Sequence, residues 1–80
     1  MSRSAALDER LLAAHAREDW AGLVALYTEA ADAANDTDAA CFYLTHAYVF
    51  ALQTGHPDAH PINARLVAHG REAPLPADAF

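Results

Sequence analysis

Histidine and cysteine are the side chains of this chain best suited to chemistry: five His and one Cys in 80 residues. His56 and His60, in the stretch HPDAH, stand at i and i+4, a spacing that sets two imidazoles on one face of a helix. Asp58 adds an oxygen ligand only if the backbone turns there, and Pro57 and Pro61 work against a regular helix through the same stretch. A structural zinc site wants four ligands, and neither a Cys pair nor a third close His accompanies these two. The expectation is therefore no bound metal, with His56 and His60 as solvated turn residues. A small metal- or ligand-binding helical protein is the alternative, using this pair or using His15 and His46 if the fold joins them. Cys41 as a nucleophile needs a base beside it. His46 comes five residues later, about 140° around a helix, and faces elsewhere. Cys41 thus reads as a small core residue. Asp8, Glu9, Glu18, Asp19, Glu29 and Asp32 read as caps and solvated faces, with no pair placed for acid–base work. The chain lacks a Gly-rich phosphate loop, a recognisable Ser/His/Asp setting and any Lys, which removes Schiff-base chemistry. No enzyme and no cofactor are expected.

The elements that carry these residues can be placed from their punctuation. A first helix is predicted from about Ala5 to Ala16, with Ser4 as its N-cap and with Leu7, Leu11 and Ala14 on one face. REDW breaks it, and Asp19 caps a second helix from Trp20 to about Ala34, along which Trp20, Leu23, Val24, Tyr27, Ala30, Ala31 and Ala34 recur at helical steps. NDTD breaks the chain again. Asp36 or Thr37 caps a third helix from about Asp38 to Gln53. After TGHPD a fourth helix presents Ala59, Ile62, Leu66 and His69 on one face and stops at Gly70. Residues 1–70 are expected to form a single helical domain, and 71–80 a Pro-rich, loosely ordered tail. Short turns make neighbouring helices antiparallel, so the fold class is all-α.

Composition narrows the partners. The net charge is -6, from 11 acidic side chains against five Arg. Such a surface disfavours nucleic acid and anionic membrane and suits protein partners. No apolar run approaches the ~20 residues that span a bilayer, and MSRSAALDER turns charged too early for a secretory signal. A single Cys forms no internal disulfide, in keeping with a reducing cytoplasm. Ala makes up about a quarter of the chain. Ala- and Arg-rich, Lys-free usage points to a bacterium with a GC-rich genome.

Two helix–turn–helix units with a period of roughly 34–40 residues lie in the range of helical repeats. The stretch EDWAGLVALYTEAADAANDTDAACFYLTHAY resembles the tetratricopeptide repeat family, as the second helix of one repeat and then the first of the next. The carriers are Asp19-Trp20 in the turn, Ala30 at a small packing position, and Leu44, Ala47 and Tyr48 as a large–small–aromatic set. Cys41 stands where the family has a large aromatic, Thr45 where it has Gly or Ala, and Leu23 where a small residue is common. Gly55 comes about one turn late, and Arg10 replaces an expected Leu. The resemblance spans Glu18 to Ala59. It implies four antiparallel helices arranged as two repeats, the alternative being another four-helix bundle.

CFYLTHAYVFAL, Cys41 to Leu52, is apolar all the way round. Projected at about 100° per residue, Cys41, Leu44, Ala47, Tyr48, Ala51 and Leu52 share a core face, while Phe42, His46, Val49 and Gln53 form a second stripe. Tyr43 and Phe50 lie between them. In the resembled family the first helix of each repeat lines a peptide-binding groove. Carried over by position, this implies a protein-binding groove of Phe42, His46, Val49 and Phe50, joined by Leu12 and His15. Either the stripe is an exposed interaction surface, or the first helix or the tail folds over it. An exposed stripe would be covered by a peptide segment or by a second copy, and a homodimer answers the patch and the missing capping helix together. The expected role is a small, non-catalytic, cytoplasmic protein–protein interaction module, with an acidic regulator or adaptor of a larger complex as a further alternative. In this scheme Trp20 clamps the first helix to the second, and Trp20→Ala costs about 3–5 kcal/mol.

Overall fold

The computed structural model describes the backbone of residues 3–79 and the side chains of residues 6–79. It is all-α: α1 (Arg3–Ala16), α2 (Trp20–Ala33), α3 (Thr37–Thr54) and α4 (Ala59–Ala68), with no strand among the described residues. Cross-contacts fix the directions. Arg10 meets Glu29 and His15 meets Tyr27, so α1 and α2 run antiparallel. Trp20 meets Phe50 while Tyr27 meets Tyr43, so α2 and α3 do too. Helix α3 lies between α2 and α4 and packs on both.

The sharp turns come from local chemistry. Asp19 Oδ1 accepts from Gly22 N at 3.0 Å and Asp36 Oδ1 from Ala39 N at 2.7 Å, each satisfying a donor that a helix start leaves open. Helix α1 begins at Arg3, so Ser4 lies inside the helix rather than at its cap. Three helix ends close with the same pair of bonds, one reaching back five residues and one reaching back three. These are Asp19 N to Ala14 O with Glu18 N to His15 O, His56 N to Ala51 O with Gly55 N to Leu52 O, and Arg71 N to Leu66 O with Gly70 N to Val67 O. The geometry needs a left-handed residue, supplied by Gly55 (φ 65) and Gly70 (φ 70), but by Glu18 (φ 53) at the first turn. A residue with a Cβ is strained there. Glu18→Gly is therefore expected to stabilise the fold by about 0.5–1 kcal/mol, read as a higher urea midpoint with unchanged slope. A lower midpoint would show that the Glu18 side chain holds the turn by some other contact.

The main core cluster comprises Val24 and Ala31 of α2, Cys41, Leu44, Ala47, Tyr48 and Ala51 of α3, and Ala59, Ile62 and Leu66 of α4, with Ala14 of α1 and Leu23 and Ala30 of α2 buried as well. Alanines let the helices approach closely, and few large side chains fill the space between them. Leu52, expected on the core face of α3, is exposed at the edge of that face. On α4, His69 is the exposed C-cap, and Asn63 takes its place among the buried residues. Asn63 also fixes the path of the chain beyond α4. Its Nδ2 donates to the Ala73 carbonyl at 2.8 Å and to Tyr48 Oη at 3.3 Å, and its Oδ1 accepts from Leu75 N at 2.9 Å. The Pro-rich segment, read from composition as a loose tail, is thereby laid along α4, with Leu75 against the core and Arg71 paired to Asp38 of α3. Its prolines supply no N–H groups, but Ala73 and Leu75 between them offer the backbone groups that one buried amide can bond.

Candidate protein-binding face

Tyr27, at the middle of α2, organises the side of the molecule shared by α1, α2 and α3. It is half-buried. Desolvation, with a smaller contribution from Tyr43, holds its phenol above the ordinary value, so it stays protonated at neutral pH. Its Oη is hydrogen-bonded to His15 Nε2 of α1 at 2.9 Å. The rings of His46 and Phe50 of α3 stack on it with centroids 5.0 Å and 5.9 Å away. Trp20 extends the stack beyond Phe50 (5.6 Å, 10° between planes), and Phe42 meets His46 with its ring tilted (4.6 Å, 53° between planes). The ring order Trp20, Phe50, Tyr27, His46, Phe42 spans two helices, because Phe42, His46 and Phe50 four apart on α3 and Trp20 and Tyr27 seven apart on α2 each share one helix face.

The six residues expected to form a groove differ in exposure. Phe42 is 59% exposed, Val49 44% and Leu12 71%. His15 is exposed, and His46 and Phe50 are half-buried. His46, Val49 and Phe50, with Thr45, line a shallow, mostly apolar depression of about 270 Å³. Phe42 and His46 also border a wider hollow of about 480 Å³ with Asp38 and Arg71. Phe42 and Val49 of the stripe are thus exposed and not covered by the first helix or the tail. Helix α1 reaches only its edge, where His15 meets Phe50 (5.8 Å), and the tail runs along α4. Leu12 projects into solvent.

Two members of the neighbourhood were not foreseen. Trp20 is 39% exposed and stacks on Phe50, so it joins α2 to α3. Its removal then loses one ring stack and partial burial, about 1–2 kcal/mol, and not the cost of a core aromatic. A second cleft of about 260 Å³ opens between the N-terminal half of α1 and the start of α3, lined by Leu7, Asp8, Leu11, Asp36 and Tyr43 over an alanine floor on α2. The i, i+4 pair Leu7 and Leu11 was visible in the sequence, but their partners lie across the fold.

The candidates for chemistry are dispersed. Cys41 is a free thiol buried in the core, at the floor of the hollow that Asp38, His46 and Arg71 border. His46 Nδ1 donates to the Phe42 carbonyl at 2.9 Å. His56 Nδ1 accepts from Asp58 N at 3.0 Å, which closes the turn before α4. His60 Nε2 donates to the Ala79 carbonyl at 2.6 Å. Among the described residues no three His, Cys, Asp or Glu side chains converge as metal ligands, and no helix is long and apolar enough to cross a membrane. What the arrangement offers is an open array of ring faces and apolar side chains on the packed pair α2 and α3. Comparison with protein-family models, with curated proteins and with solved structures found no match for this chain.

Proposed function

We propose that this protein is a small, non-catalytic protein–protein interaction module, arranged like two tetratricopeptide repeats and working in a bacterial cytoplasm, that binds a segment of protein through the outward face of α3. The carrying observation is the face on which exposed Phe42, Val49 and Trp20 adjoin half-buried His46 and Phe50. Exposed apolar patches with polar edges mark interaction sites, and aromatic residues are enriched at the anchor points of interfaces. His46 and Phe50 are packed on Tyr27, which limits the side-chain freedom that binding would remove.

Phe42→Asp combined with Val49→Asp tests this reading. Both side chains point away from the core, so far-UV circular dichroism and the melting temperature should stay close to wild type. Association, with a peptide ligand or with another copy, should be lost. Wild-type association strength in the double variant would remove the face from consideration.

A further inference from the structure

We infer that the occupant of this face is a cationic segment of another protein, with apolar anchors flanked by Arg or Lys, and not a second copy of this chain. The inference rests on the interaction reading of the face and adds the chemistry of its partner.

Charge placement carries it. Every Arg whose side chain is described is already engaged within the molecule: Arg10 with Glu29, Arg17 with Asp19, Arg65 with Asp32, Arg71 with Asp38. The chain still carries a net charge of -6. Carboxylates stand at both ends of the ring array. Glu18, exposed and without a side-chain partner among the described residues, lies in the turn that leads into Trp20. At the other end Asp8 and Asp36 line the cleft beside Tyr43, and Asp38 borders the hollow beside Phe42. A two-fold dimer through this face would bring like ends or opposite ends together. Both ends are acidic, so either arrangement sets carboxylates against carboxylates, with no described Arg free to answer them. A cationic segment meets the opposite situation. Its charges are attracted by the acidic ends and by the exposed ring faces of Trp20 and Phe42, while its apolar side chains fill the depression at Val49 and Phe50.

The test pans a display library of random twelve-residue segments on the immobilised full-length protein. Recovered peptides are then synthesised and titrated, with Trp20, the one Trp of the chain, as the fluorescent reporter. Recovered sequences should be net positive with aromatic or aliphatic anchors. Their affinity should fall tenfold or more when salt rises from about 0.05 M to about 0.3 M, over which screening becomes short-ranged. Two variants assign the site. Phe42→Ser with Val49→Ser should abolish binding. Asp8→Asn with Glu18→Gln and Asp36→Asn should weaken it roughly tenfold while keeping the fold, since Asn caps α3 as Asp does. Neutral or acidic peptides that still depend on Phe42 and Val49 would overturn the cationic partner and leave the interaction face standing. No recovered peptide, together with a concentration-dependent dimer by light scattering that Phe42→Ser with Val49→Ser dissolves, would make the second copy the occupant and overturn the inference. Failure of both peptide recovery and dimerisation would remove the face and its partner together.

Discussion

Leu44→Ala is expected to lower the free energy of unfolding by about 3–5 kcal/mol. Leu44 is 2% exposed at the centre of α3, among Val24, Tyr48, Ile62 and Leu66, where α2, α3 and α4 meet. The core around it is rich in alanine, with Ala31, Ala47, Ala51 and Ala59 all buried. Alanine-spaced helices already sit close, so they have little room to collapse into the hole that a lost isobutyl group leaves. The cavity contribution therefore adds to the lost transfer energy. A domain of this size holds roughly 5 kcal/mol of stability, so much of the variant should be unfolded at room temperature. Urea titration monitored by circular dichroism measures it, with Leu12→Ala as the control. Leu12 is 71% exposed, and its truncation should change stability by less than about 0.5 kcal/mol. If the two leucines gave equal losses, the described core would be in the wrong place.

Asn63→Ala should be nearly as damaging, by about 2–4 kcal/mol, for a different reason. The side chain is 5% exposed and serves three groups at once: the Ala73 carbonyl, Tyr48 Oη and Leu75 N. Truncation leaves these without their partner and opens a gap beside Tyr48. The cheapest response of the molecule is to release the tail so that water satisfies the freed groups. The expected result is thus double: a lower melting temperature, and rapid proteolysis after Arg71 in a molecule whose helices persist. Asn63→Asp separates the two halves of the amide, since it keeps the acceptor for Leu75 N but loses the donor to Ala73. It should release the tail as well. A tail equally protected in both variants would mean that Leu75 and the Arg71–Asp38 pair hold it without Asn63.

Much of the fold was legible because its determinants are local. Asp19 and Asp36 cap helices by reaching three residues ahead, and Gly55 and Gly70 end helices because they take up a left-handed backbone, and neither device depends on the rest of the chain. The five buried residues of α3 were readable from their spacing, as was the opposite stripe of Phe42, His46 and Val49. The wheel misplaced Leu52, which sits one step beyond Ala51 at the margin of the buried arc, where coverage depends on how far a neighbouring helix extends. It also misplaced His69, since α4 ends one residue earlier than its apolar periodicity.

The candidate site divides in the same way. That α3 carries two apolar faces, that the chain is all-helical and that its surface is acidic were set by residue types at fixed helical steps and by simple charge count. Which face stays open was decided only by tertiary packing: α1 docks on α2 with His15 against Phe50 of α3, and the tail takes the flank of α4. The Trp20–Phe50 stack joins residues thirty positions apart by number, and Arg65–Asp32 and Arg71–Asp38 each join residues 33 apart. Local periodicity carries no information at such separations. A helix wheel assigns a direction to each side chain, but burial is the outcome of which surfaces meet, and that is fixed by the collective fit of the four helices.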